Sequence, residues 1–172
     1  MLSLLALGAI AGALIVSGCP GGDDEQVRHA NLTGAQEVPP VTTAATGTVN
    51  LTISSDRARI TYRVATVGPF TSNVRFAHIH VQQSGVNGPV VVFFCTTQTP
   101  PAGVPTPQPC PTAGATITGV LTAADFIPST AASALGVNSF ADLVTALLAG
   151  NTYSNMHTDN NPGGEIRGQN VK

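Results

Sequence analysis

A chain of 172 residues with 9% charged side chains, a formal net charge of -2 and a single lysine, Lys172, has no electrostatic footing for nucleic acid or for an acidic lipid surface. Its 18 Gly, 13 Pro and absence of Trp, with 42% hydrophobic residues, exclude a helical bundle and suit short strands joined by tight turns. The length fits one domain with a short anchor and suffices to bury a core.

The first 18 residues carry no charge. Leu4-Leu5-Ala6-Leu7, Ile10 and Leu14-Ile15-Val16 make an apolar run that closes in Val16-Ser17-Gly18-Cys19. Small residues before a cysteine at the end of such a run resemble the lipobox of bacterial lipoproteins. That resemblance implies cleavage before Cys19 and acylation of its thiol and new amine. The alternative is an uncleaved membrane helix, for which the run is marginally long. Either one places the body outside the cytoplasm. Residues 19–28, with Pro20-Gly21-Gly22-Asp23-Asp24-Glu25-Gln26, form a polar tether with nothing to bury, and residues 29–172 form the domain.

Strand signals follow. Thr48–Ile53 alternates with Val49, Leu51 and Ile53 inward; after a turn at Ser55-Asp56, Arg59–Val64 alternates with Ile60, Tyr62 and Val64 inward. A third strand is expected near Val74 to Gln82, then a dense turn at Ser84-Gly85-Val86-Asn87-Gly88-Pro89. Val90–Phe94 is an unbroken apolar run suited to a central strand. Cys95 and Cys110 flank a Pro/Thr-rich segment. With Cys19 lipidated they remain as an even pair, read as a disulfide, the alternative being two metal-binding thiols. Ala115–Leu121 reads as another strand, Thr122–Phe126 as a single helical turn. Ser139 caps a helix whose stripe is Phe140, Leu143, Val144, Leu147 and Leu148, ended by Gly150. The last strands lie near Thr152–Thr158 and Glu165–Asn170.

The chain has four histidines. His78 and His80 are two residues apart on a strand and so share a face, and His157 comes from another strand. Three imidazoles suit copper or zinc. Asn155, on the face of His157, and Asp159 just beyond it are candidate acceptors for the second ring nitrogens. The alternative is a polar network that holds two loops together. Glu165 and Arg167 share a strand face, as a charge pair fixing the last strand or as a carboxylate aiding a bound substrate or metal. There is no recognisable Ser/His/Asp set, so no catalytic residue is assigned.

Leu32-Thr33-Gly34-Ala35-Gln36-Glu37-Val38-Pro39-Pro40-Val41, then Ala77-His78-Ile79-His80 with Gly85-Val86-Asn87-Gly88-Pro89-Val90-Val91, then His157-Thr158 with Asn161-Pro162-Gly163-Gly164-Glu165-Ile166-Arg167-Gly168-Gln169 together resemble the CHRD (chordin-type) domain, from about Ala30 to Gln169. The resemblance implies an exported, extracytoplasmic domain. His78-Ile79-His80 is also similar to the His-x-His strand of copper–zinc superoxide dismutase, although the histidine count excludes a full two-metal site. The fold expected is an all-β, Greek-key antiparallel β-sandwich or barrel of about eight strands with one short helix. The functions expected are a lipid-anchored module contacting an envelope protein or a second copy of itself, a copper- or zinc-binding protein, or an oxidoreductase of the dismutase type.

Overall fold

A computed structural model describes residues 24–100, 102–111 and 115–172. The apolar run and Cys19 lie outside the described residues. Within them are eight strands: β1 (Gln26–Thr33), β2 (Thr46–Ile53), β3 (Ile60–Val67), β4 (Val74–Val81), β5 (Val90–Thr96), β6 (Thr116–Leu121), β7 (Thr152–Thr158) and β8 (Ile166–Gln169). Two short helices, α1 (Thr130–Ala134) and α2 (Phe140–Leu148), intervene before β7. One helix was expected; α1 is a five-residue turn with a Ser129 cap and one buried residue, Ala132, too short to carry an apolar stripe.

The strands form one antiparallel sheet in the order β5-β4-β7-β8-β1-β2-β3-β6. Its edge strands β5 and β6 come into contact, so the sheet is a nearly closed barrel. Taken round through that seam, β4, β5 and β6 follow in order with β3 beside β6, a Greek-key path. The β2–β3 hairpin pairs Val49 with Val64, Leu51 with Tyr62 and Ile53 with Ile60. All six are buried, as their alternation requires. Helix α2 buries Phe140, Leu143, Val144 and Leu147. The Ser139 side chain accepts from the Asp142 amide, and Gly150 supplies the positive φ (76°) that ends the turn.

Strand β1 takes up the last residues assigned to the tether. Its inward positions are Arg28, Ala30 and Leu32, so the alternation begins with a charged residue. Arg28 is buried because its Nη2 donates to the Leu148 carbonyl at the C-terminus of α2 (2.8 Å). That is a favourable end of the helix for a cation.

Strand β5 is an edge of the sheet, not a centre. Its apolar run is buried because the seam is plugged. Ile127 N donates to Val91 O (2.9 Å) and Thr96 N to Gln108 O (3.0 Å). Gln108 Nε2 donates to Thr118 O on β6 (2.9 Å) and to Tyr62 Oη (2.6 Å). Tyr62 Oη donates to Phe94 O (2.9 Å). The segment carrying Gln108 is tied down by the Cys95–Cys110 disulfide. A closed loop of this length stabilises by about 3 kcal/mol in the chain-entropy model. Replacing both cysteines by serine is expected to lower the urea midpoint by that amount of free energy, and an unchanged midpoint would show that the seam holds without the bond.

Candidate metal centre

Strand β4 turns Ala77, Ile79 and Val81 into the core, so Phe76, His78 and His80 face out of the barrel. On β7, Met156 is a core residue, and Tyr153, Asn155 and His157 lie on the outer face. Register then lays out two rows. Phe93, His78, Asn155 and Arg167 are cross-strand neighbours from β5 to β8. Val90, His80, Tyr153 and Gln169 form the next row, and His157 lies opposite Phe76.

An outer face is ordinarily wet, yet His78, His80 and His157 are only 4%, 7% and 7% exposed. Loops roof them. His80 Nδ1 donates to Gly88 O (2.8 Å) in the β4–β5 turn, and His157 Nδ1 donates to Pro162 O (2.9 Å) in the β7–β8 loop. Gly88 is required where it stands: a Cβ there would lie 2.0 Å from Val81 O. Since a carbonyl only accepts, both Nδ1 atoms carry the proton and both Nε2 atoms keep a lone pair. Those two Nε2 atoms and His78 Nδ1 are buried with no hydrogen-bond partner. Each ring offers one ligand nitrogen, and the three lie within 4.8 Å of one another. Donors at about 2.0–2.1 Å on a tetrahedral zinc ion are roughly 3.4 Å apart, so the three rings must draw together to close on one ion.

The electrostatics leave the rings neutral. Burial holds His78 well below its ordinary value, with charge on His80 and His157 adding to the effect. Burial brings His80 down to about 4 and also lowers His157. Neutral imidazoles are the form a metal binds. Tyr153 lies between His80, stacked on its ring at 4.6 Å, and the Arg167 guanidinium, 3.4 Å from its centroid. Half-buried Phe76 and Phe93 stand beside His78 at 5.3 and 4.4 Å.

The structure brings His78, His80, His157 and Asn155 together. The Asn155 amide is beside His78 and His80, where it favours their charged forms. Asp159 lies elsewhere: the chain turns away after Thr158, and Asp159 faces solvent beside Arg75 Nε (3.7 Å). Glu165 and Arg167 do not pair with each other. Glu165 precedes β8 and accepts from Thr43, Thr71, Thr158 and Asn161. Arg167 donates to Asn87 Oδ1 (2.9 Å) and Val86 O (2.7 Å). The fourth histidine, His29, is exposed on β1 and bridges Val171 through backbone bonds.

One residue of this region carries no strand or spacing signal. Glu37, just after the 3₁₀ turn Gly34–Gln36, is buried against the backbone of Gly164, where a Cβ would fall 2.4 Å from Glu37 Oε1. Burial raises its carboxyl to about 7, against the opposing pull of Arg167 and of a hydrogen bond from Asn155.

The CHRD domain model matches residues 28–170. No curated protein and no solved structure matches the chain. The matched span runs from Arg28, in β1, to buried Asn170 just past β8, and so takes in the barrel but for the first two residues of β1, with its roofed histidines: the chain belongs to the CHRD domain family.

Proposed function

We propose that this protein is an extracytoplasmic CHRD module, held at a membrane through lipid on Cys19, that binds one copper or zinc ion on His78, His80 and His157. The observation that carries the metal reading is a cluster of three buried imidazoles: each keeps a buried ring nitrogen without a protein partner, and the three can offer one nitrogen each within 4.8 Å of one another. Buried polar atoms are ordinarily satisfied, and three orphans on three clustered rings call for a shared guest. The backbone carbonyls of Gly88 and Pro162 orient two of the rings, as outer partners of metal-bound imidazoles do. Three neutral nitrogen donors with no thiolate suit zinc and copper over magnesium or calcium. The bound cation would supply Lewis acidity, and with copper a one-electron couple. The disulfide fits an oxidising compartment, which supports the exported location, and pairing Cys95 with Cys110 leaves Cys19 free for acylation.

The purified chain, loaded with excess Zn²⁺ or Cu²⁺ and dialysed, is expected to retain one ion per molecule by elemental analysis. His80→Ala is expected to retain none while keeping its circular dichroism spectrum. Failure of the wild-type protein to hold either ion would defeat the metal reading. A superoxide assay on the copper-loaded form decides whether dismutase-type turnover accompanies binding.

A further inference from the structure

We propose that Glu37 is the counter-charge of the three-histidine site: a neutral carboxylic acid while the site is empty and a carboxylate once a divalent cation is bound, so that cation uptake expels one proton from a residue that is not a ligand. The inference rests on the metal reading above. Its ground is the geometry of the outer face. A cation on three neutral imidazoles brings two positive charges into a buried site with no anionic ligand, and such a charge demands compensation nearby. Among the described residues, two other carboxyls come near these loops and neither is available. Asp159 faces solvent beside Arg75. Glu165 is saturated by donors from Thr43, Thr71, Thr158 and Asn161.

Glu37 is available. It is 4% exposed, and its Oε1 has no hydrogen-bond partner. Asn155 links it to the rings, lying beside Glu37 on one side and beside His78 and His80 on the other. The Asn155 Oδ1 is itself unpartnered. The charged and titratable groups that face Glu37 are Arg167 from β8 and Tyr153 from β7. Arg167 is already bonded to Asn87 and Val86 and acts on Glu37 through space, so the carboxyl has no direct ion pair that would keep it ionised in the empty protein. Burial of Glu37 then favours its neutral form. A divalent charge on the far side of Asn155 reverses that preference. The balance is simple: the cation enters, the carboxyl O–H bond breaks, and the proton leaves to solvent.

A paired measurement makes the effect readable. The histidines are the same in wild type and Glu37→Gln, so the difference in protons released between the two proteins counts the carboxyl's. Titration of Zn²⁺ into the purified chain by calorimetry, in buffers of different ionisation enthalpy, counts protons released. Wild type is expected to release about one proton per Zn²⁺ more than Glu37→Gln at pH 6 and the same number at pH 8, where Glu37 is already ionised. Glu37→Gln is expected to bind about tenfold more weakly at pH 8. Glu37→Asp is expected to restore the release. Zinc binding with equal counts in wild type and Glu37→Gln overturns this proposal and leaves the metal reading standing. No zinc binding by the wild type overturns both. If Glu37→Gln does not fold, the wild-type count decides alone: a count below about one at pH 6 overturns the proposal.

Discussion

Glu165→Ala is expected to lower folding stability by about 3–5 kcal/mol, the range for breaking a buried, fully hydrogen-bonded charge site. The Glu165 carboxylate is fully buried and is the meeting point of three connections. Thr43 Oγ1 (2.7 Å) reaches it from the β1–β2 loop. Thr71 reaches it through both its amide (2.9 Å) and its hydroxyl (2.6 Å) from the β3–β4 loop. Thr158 Oγ1 (2.6 Å) and Asn161 Nδ2 (3.1 Å) come from the end of β7 and the loop after it. Alanine would leave these donors facing a cavity. Thr71→Ala, which removes one hydroxyl and keeps the amide bond, is expected to cost only about 1–2 kcal/mol. Burial alone would raise the Glu165 carboxyl, but the bonds from Thr158, Thr71 and Thr43 outweigh it and the value is lowered. The stability it contributes is therefore present above its unfolded value of 4.5 and is lost as pH falls through its lower folded value. Urea unfolding at pH 7 checks the prediction. A loss under 1 kcal/mol for Glu165→Ala would mean that the three loops are held by something else.

Acid is expected to destabilise the metal-free protein well before carboxylates of ordinary value titrate. Burial lowers His80 from 6.5 to about 4. The unfolded chain thus takes up a proton in that window and the folded chain does not. The stability is complete above pH 6.5 and drains away as pH falls toward 4, by about 3 kcal/mol for His80 alone. His78 and His157 are shifted in the same direction and add to it. Glu37 opposes them. Its carboxyl is raised from 4.5 to about 7, so its contribution is present below 4.5 and is lost as pH rises through 7. Three histidines against one glutamate leave stability rising between pH 4 and 6.5. The same bookkeeping predicts that Glu37→Gln stabilises the apo protein at pH 8 by up to about 3 kcal/mol and changes little at pH 5. Urea midpoints from pH 4.5 to 8 give both curves. A flat wild-type profile would show that the rings are solvated, and a Glu37→Gln protein weakened at pH 8 would show that the carboxylate is held by Arg167.

The parts of this protein legible in its sequence are those encoded by local periodicity. The inward sets Val49, Leu51, Ile53 and Ile60, Tyr62, Val64 follow from alternation, because successive strand side chains point to opposite faces wherever the strand lies. The Ser139 cap and the Phe140–Leu147 stripe follow from the helical repeat in the same way. Two histidines on one face needed only the spacing of His78 and His80. Arg28 hid the start of β1 because its partner, the Leu148 carbonyl, is 120 residues away. The run Val90–Phe94 was equally opaque: apolarity reports burial, and a plugged edge buries a strand as well as a flanking neighbour does.

What the sequence by itself determined, then, is the strand-rich body, its inward faces, the cysteine pair and the two neighbouring imidazoles. Only the tertiary structure decided which loops return over the outer face of β4, β7 and β8, and so which groups share the site. Glu37, Gly88, Tyr153 and Pro162 join the histidines there, Asp159 leaves, and Glu165 and Arg167 take separate partners. The reason is physical: side-chain direction is a property of a few adjacent residues, whereas the identity of a partner depends on the path of chain tens of residues away.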